Sequence, residues 1–551
     1  MAIIDDAIAW RDADFDPDTR AELADLITRS ESRDSDIARP ALEAIESAFA
    51  GTLQFGTAGL RGQLGPGPAR MNRVVVTRAA AGFARWLQDE GITEGRVIVG
   101  YDARYKSADF ALDTAQIFAG AGYDVLLTDE PTPTPLIAFG IQHYGCVAGI
   151  VVTASHNPPQ DNGYKVYLGD GSQIVPPVDG QIAARIAEVA TEDLAALPRS
   201  DERTIIGDDL RDAYVARLQE LVRSDAPTDV RWVHTSMHGV GAHVVRQAAR
   251  TLGFPKPIEV SEQSNPDPDF PTVSFPNPEE PGAIDLALAL ARHAEADVVI
   301  ANDPDADRCA VATRMDGDWR MLTGDELGAL LGDDAIRRGV PGVLANSVVS
   351  STLLRAMARD AGREHQTTLT GFKWIGRVQN LAFGYEEAIG YCCDPQAVPD
   401  KDGISAAMAV LRITAELKAE GKTIQNRLDD IARYYGVYAT SQLAVRVADL
   451  SIIAQAMAKL RGNPPTTLLD EPVTVVDLLP GSPELPPTDA IELTGQRVHV
   501  VARPSGTEPK LKCYLEVRMD PADDVSRSRD AAAELLRRLR EEMAAALGVE
   551  E

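Results

Sequence analysis

Short apolar runs alternate with amphipathic stretches over most of the chain. Arg96–Tyr101, Tyr123–Thr128 and Val147–Thr153 are apolar runs of strand length. Thr77–Glu90 carries apolar residues at helical spacing and stops at Gly91, and Ser107 is placed to cap a second helix reaching about Gly120. Strand and helix alternating at these lengths predict parallel sheets covered by helices. The alternation returns twice. Val230–Thr235 and Asp297–Ala301 read as strands around a helix at His243–Leu252; Gly342–Ala345 reads as a strand before a helix at Ser351–Ala361. Gly403–Glu420 reads as a long amphipathic helix. The end of the chain differs. Strands at Gln442–Val447, Val473–Leu478, Arg497–Ala502 and Leu511–Val517 fall between helices near Leu450–Leu460 and Ser526–Leu547, and Leu479–Pro487 is a Pro-rich surface loop.

The fold class expected is therefore α/β: three consecutive α/β domains with mixed, mainly parallel sheets, then a C-terminal α+β domain. The expected divisions are a helical extension over 1–50, α/β domains over 51–205, 206–320 and 321–438, and the last domain over 439–551.

Charge narrows the partners. The formal net charge is −29. Such a surface repels nucleic acid and anionic membranes, so neither is expected as a partner. If the ligand is an anion, cations must be gathered locally, which makes small Arg and Lys clusters informative. The five cysteines, Cys146, Cys309, Cys392, Cys393 and Cys513, lack zinc spacing and read as reduced thiols. The first residues lack a basic start with an apolar core, and no run of about 18 apolar residues occurs, so a cytoplasmic location is expected.

Four segments carry candidate chemistry. In V-V-T-A-S-H-N-P-P-Q-D-N-G-Y-K, Val151–Lys165, an apolar run meets polar residues and two prolines that exclude a helix. The loop at a strand's carboxyl end is where open α/β sheets bind ligands. Ser155 is then a candidate nucleophile, with His156 and Lys165 as proton-transfer neighbours; a turn in which Ser155 and Asn157 bond their own backbone fits the same residues. In A-D-V-V-I-A-N-D-P-D-A-D-R, Ala296–Arg308, the carboxylates Asp303, Asp305 and Asp307 recur at every second position. In extended chain that spacing aims all three to one side. So crowded they repel one another unless a cation lies among them, and hard oxygen donors favour Mg²⁺ or Ca²⁺. In V-V-A-R-P-S-G-T-E-P-K-L-K, Val500–Lys512, Arg503, Ser505, Gly506, Thr507, Lys510 and Lys512 suit an oxyanion such as phosphate. F-G-Y-E-E-A-I-G-Y, Phe383–Tyr391, holds Glu386 and Glu387, which can accept from hydroxyls such as a sugar offers, but taken alone a surface turn fits these residues better; T-G-F-K-W-I-G upstream places Lys373 beside Trp374, where an anion could be held.

Taken together and in this order, with F-G-T-A-G-L-R-G at Phe55–Gly62, the segments closely resemble the α-D-phosphohexomutase family of phosphoglucomutases and phosphomannomutases. The likeness spans roughly Phe55 to Glu516. It implies four domains around a central cleft and a mutase that interconverts a sugar 1-phosphate and 6-phosphate, glucose phosphate first and mannose or pentose phosphate after it. The resemblance implies that Ser155 is the phosphoserine and, with Asp303, Asp305 and Asp307, a ligand of Mg²⁺, and that a sugar 1,6-bisphosphate serves as intermediate and activator. Arg61 and Arg308 are similar to active-site cations, His156 and Lys165 to proton-transfer groups, and Lys401, in P-D-K-D-G, to a second lysine near the reacting hydroxyl. Glu386 resembles the sugar-contacting carboxylate, Lys373 an anion contact, and Arg503, Ser505, Gly506, Thr507 and Lys510 the loop for the non-reacting phosphate. Ala388 stands where the family's sugar loop usually carries Ser. That form, with T-S-M-H-G-V-G at Thr235–Gly241, is similar to the phosphoglucomutase-2-like branch. A metal-dependent sugar phosphatase is the competing reading from another class, but it has no use for a second phosphate loop.

Overall fold

The computed structural model describes residues 2–56, 58–222, 225–446, 450–505 and 510–549. Gly506, Thr507 and the end of the strand expected at Gln442–Val447 lie outside the described residues. Contacts divide the chain into two units, 1–310 with 396–408, and 311–395 with 409–551.

The first unit opens with helices Ala2–Ala13, Pro17–Ser30 and Ser35–Ala48. Asp16 and Asp34 start the second and third by accepting from the amides of Asp18 and Asp36. Their facing apolar positions, Ala7, Leu23, Ile27 and Ile45, form a small core. A six-stranded sheet follows, ordered Leu60–Gln63, Asp161–Leu168, Cys146–Val152, Arg96–Tyr101, Asp124–Thr128, Thr204–Ile206. Its last four strands run parallel and the first two join antiparallel. Helices Arg73–Asp89, Ser107–Gly120 and Val178–Val189 contribute buried residues to its core with Val97, Val99, Ile150 and Val166. A second group of parallel strands, Ile258–Glu259, Trp232–Thr235 and Val298–Ala301, follows.

The second unit holds an α/β layer and an antiparallel one. Strands His365–Thr368, Val343–Ser347 and Leu381–Glu386 are parallel, and Gly390–Cys392 is antiparallel beside the last. Helix Gly324–Arg337 starts at a Thr323–Glu326 capping box. The C-terminal sheet is wholly antiparallel, ordered Tyr438–Arg446, Lys510–Arg518, Val498–Pro504, Ile491–Thr494, Thr474–Asp477. Its apolar face packs with helices Leu450–Gly462 and Val525–Leu547 around Leu460, Val500, Leu515 and Leu539. The architecture is three α/β/α domains with mixed sheets and a C-terminal antiparallel-sheet domain.

The chain after the serine loop returns as strand Asp161–Leu168, with Lys165 opposite Val151. Two local expectations are corrected. Ser107 does not cap its helix, because its hydroxyl donates instead to Asp102 Oδ1 at 2.7 Å. Gly403–Ala419 is not amphipathic: Gly403 to Ala415 are all buried, small and apolar residues making up most of that stretch and Arg412 being buried on the carboxylates of Asp334 and Glu416. All five cysteines are free thiols.

Candidate active site

Strand Cys146–Val152 delivers the serine loop, and strand Val298–Ala301 delivers the aspartate loop. Ser155 is buried, with φ at 53°. Its Oγ donates to Asp303 Oδ2 at 2.8 Å and lies 3.1 Å from His156 Nδ1. Asp303, Asp305 and Asp307 are buried and offer three oxygens within 4.8 Å of one another. Lys165 Nζ donates to Asp305 Oδ2 at 2.6 Å and to Asp307 Oδ2 at 2.8 Å, and Lys401 Nζ lies 3.4 Å from the same Asp307 oxygen. The Arg308 amide donates to Asp303 Oδ1 at 3.0 Å, and its Nε lies 4.0 Å from Asp307 Oδ1. Arg61 Nη1 donates to Asn157 Oδ1 at 3.2 Å. The first unit thus brings together the serine, its histidine, three carboxylates and four of the cations that sequence alone singled out.

The aspartate loop needs close backbone support. Pro304 packs so near Gly239 that a Cβ there would lie 2.2 Å from Pro304 Cα, and the Val240 amide donates to the Pro304 carbonyl at 2.8 Å. On another side a Cβ on Gly403 would lie 2.1 Å from the Arg308 carbonyl oxygen. The glycines of T-S-M-H-G-V-G and P-D-K-D-G are therefore required by close approach.

Electrostatics separate Asp303 from Asp307. Burial and the adjoining Asp305 and Asp307 push Asp303 well above the usual carboxylate range. Burial acts the same way on Asp307, but Lys165, Lys401 and Arg308 outweigh it and hold that group well below. Burial disfavours the Lys165 ammonium, yet Asp305 and Asp307 raise its pKa overall. Burial, with Arg308 and Arg61 beside it, pushes His156 well below its ordinary value, so the imidazole is neutral. Asp305 Oδ1 and Asp307 Oδ1 are buried without a hydrogen-bond partner among the described residues. Unsatisfied carboxylate oxygens facing a tight cluster are what a hard divalent cation requires, and the buried triad fits a metal site.

Two contributors escaped sequence reasoning. Thr134, at the start of helix Thr134–Tyr144, donates its hydroxyl to Asp305 Oδ2 at 2.6 Å. Arg104 holds the serine loop through its carbonyls. Both sit just beyond sheet strands, in P-T-P-T-P and Y-D-A-R, so position at a strand's carboxyl end was the available signal.

The second unit carries the remaining candidates. Glu386 ends strand Leu381–Glu386 and is half-buried. Glu387 Oε2 accepts from Ser347 Oγ at 3.0 Å and Ser350 Oγ at 3.2 Å. Burial raises the Tyr514 phenol, followed by the Glu387 carboxylate it bonds, with Arg503 and Glu386 near enough to act on it. Trp374 packs on the cluster of Val349, Leu369, Val501 and Tyr514, which fixes the turn bearing Lys373. Arg503 pairs with Lys512 across the strands, and the Ser505 amide donates to the Lys510 carbonyl at 2.8 Å. Glu386, Lys373 and the Arg503 strand thus share one neighbourhood.

Sequence models of phosphoglucomutase/phosphomannomutase match in chain order: α/β/α domain I over 52–193, domain II over 212–317, domain III over 323–435 and the C-terminal domain over 443–544. The chain belongs to the α-D-phosphohexomutase family and is a phosphosugar mutase, an isomerase. It is 45% identical over 461 residues to "Probable phosphomannomutase" of Haemophilus influenzae, covering 82% of this chain and 94% of that protein. It is 35% identical over 537 residues to human "Phosphopentomutase", covering 87% of each. Its fold is shared by the pp63/parafusin phosphoglucomutase of Paramecium in open form, with a TM-score of 0.71 at 19% identity, covering 92% of this chain and 97% of that one.

Proposed function

We propose that the protein interconverts the 1-phosphate and 6-phosphate of a hexose, glucose first, by way of phosphorylated Ser155 and a sugar 1,6-bisphosphate. The observation that carries the reading is Ser155 Oγ at 2.8 Å from Asp303 inside a buried triad of carboxylates. A nucleophile so placed can be phosphorylated and discharged beside a divalent cation. Asp303, Asp305 and Asp307, with an oxygen of the Ser155 phosphate, would hold Mg²⁺. When bound, the ion neutralises charge that spreads over the phosphoryl oxygens during transfer.

The chain's own residues do the rest. In the first transfer the bond from Ser155 Oγ to phosphorus breaks as the bond from a sugar hydroxyl to phosphorus forms, and the proton the hydroxyl gives up is balanced by one that ends on Ser155 Oγ. His156, neutral and 3.1 Å from Oγ, is placed to carry a proton to or from the serine oxygen. Lys165 and Lys401 supply fixed positive charge beside the acids, and Arg61 and Arg308 supply it next to the serine loop. The bisphosphate then turns over, and its other phosphoryl group returns to Ser155. In either orientation the distal phosphate is held by Arg503, Ser505, Gly506, Thr507 and Lys510, with Glu386 on the sugar hydroxyls and Lys373 as a further anion contact.

A pentose phosphate is the second reading. It is favoured by Ala388, which removes a hydroxyl from the Glu386 loop, and by the phosphopentomutase name of a relative 35% identical. Side-by-side kinetics on glucose, mannose, ribose and deoxyribose 1-phosphates, with glucose 1,6-bisphosphate and Mg²⁺ present, test the assignment. The highest kcat/KM is expected for glucose 1-phosphate. A tenfold preference for a pentose phosphate moves the assignment to the second reading, and steady release of inorganic phosphate from all four replaces the mutase with a phosphatase.

A further inference from the structure

Ser155 sits in left-handed backbone space, which a non-glycine residue keeps only where its surroundings over-determine it. The Ser155 amide donates to Thr153 Oγ1 at 2.9 Å, and one side chain ties down the carbonyls that follow. Arg104 Nη2 donates to the carbonyls of Ser155 at 2.7 Å and Asn157 at 2.6 Å. Its Nη1 donates to the carbonyls of Pro158 at 2.8 Å and Asp161 at 3.1 Å. Four converging carbonyls repel one another and need a donor between them, and a planar guanidinium meets that geometry where a point charge does not. Arg104 is itself fixed. It is 4% exposed, its Nε lies 3.3 Å from Asp102 Oδ2, and the Phe270 ring lies 4.9 Å from its guanidinium carbon. Asp102 Oδ1 also accepts the Arg104 amide at 3.0 Å and the Ser107 hydroxyl at 2.7 Å, tying the turn to the next helix.

We infer that Arg104 is a positioning residue for phosphoryl transfer at Ser155: it holds the loop so that Oγ stays 2.8 Å from Asp303, and its loss lowers turnover rather than affinity. Both terminal nitrogens are committed to carbonyls, so Arg104 acts through the loop. The inference rests on the phosphoserine reading above and deepens it.

Arg104→Lys keeps the charge but loses the fork. Its kcat should fall about 30- to 100-fold, the scale set by small misplacement of a reacting atom, while KM for the sugar phosphate stays within about threefold. Phe270→Leu keeps all four hydrogen bonds and removes the aromatic face, and should lower kcat about fivefold at unchanged KM. A folded Arg104→Lys with wild-type kcat, or a defect in KM alone, overturns the inference. If Arg104→Lys does not fold, Phe270→Leu decides: a drop in kcat at constant KM supports positioning, and wild-type kinetics overturn it. Intact mass of the wild-type enzyme, run alongside, separates the two levels. Phosphoserine present with unaffected variants removes only the role of Arg104, whereas an active wild-type enzyme that never carries a phosphoryl group removes the mutase mechanism and this inference with it.

Discussion

Asp325 shows how far burial alone can move a single group. Its Oδ1 accepts the Ser351 amide at 2.7 Å and the Tyr385 hydroxyl at 3.0 Å, yet burial, aided by Glu387, pushes its pKa up to about 7. The unfolded chain releases this proton near 3.8, the ordinary value for an aspartate, while the folded chain keeps it to about 7. Folding therefore takes up a proton between those values, and the stability gained from it is complete below the lower one and lost as pH rises through the upper. Asp325→Asn should flatten the pH dependence of unfolding between about pH 4 and 7, measured by urea denaturation, and an unchanged slope would place the titration elsewhere. Ser155→Ala removes the atom on which the mechanism turns. Turnover should fall by at least about a thousandfold with the melting temperature nearly unchanged, since only one small hydroxyl is lost. The aspartates were legible from their spacing within one contiguous segment, and Ser155 from a contiguous segment that the family resemblance singled out over a plain turn. Arg104 and Thr134 were not, because their partners lie 51 to 57 and 171 positions away in the chain.

Elements were easiest to read where an apolar run was bounded by clear punctuation, as at Arg96–Tyr101 and Val298–Ala301. They failed where tertiary pairing decided. Strand Asp161–Leu168 was not read, because Asn162, Gly163 and Lys165 interrupt any apolar run and only pairing with strand Cys146–Val152 makes them a strand. Ser107 had the composition of a cap, but Asp102 competed successfully for its hydroxyl. The glycine at 239 belongs to this scale because it joins two loops rather than marking a turn. Gly239→Ala forces its Cβ against Pro304 backbone, with no flexible side chain to yield. A loss of about 2–3 kcal/mol in denaturant unfolding is expected, with weakened divalent-ion affinity by calorimetric titration. Wild-type values for both would show that the aspartate loop moves freely. Arg503→Ala, on strand Val498–Pro504, should raise KM for sugar phosphate at least tenfold and leave ion affinity unchanged. Equal losses in the two would mean that the strand serves the metal centre instead.

For the whole chain, charge is the constraint that organises the account. A net charge of −29 opposes anionic substrates, yet Arg61, Lys165, Arg308 and Lys401 are gathered around one acidic triad. Those cations make the folded chain tolerant of an empty triad. Chelation should therefore abolish turnover without unfolding, and excess Mg²⁺ should raise the melting temperature by only a few degrees, as binding linkage predicts. No helix among the described residues is long and apolar enough to cross a membrane.

The most direct measurement is anomalous diffraction from crystals of the enzyme phosphorylated with glucose 1,6-bisphosphate and loaded with Mn²⁺ in place of Mg²⁺. A single manganese peak is predicted about 2.0–2.2 Å from one oxygen each of Asp303, Asp305, Asp307 and a phosphate on Ser155. An active crystal form with Ser155 unmodified, or with manganese bound away from these carboxylates, would contradict it.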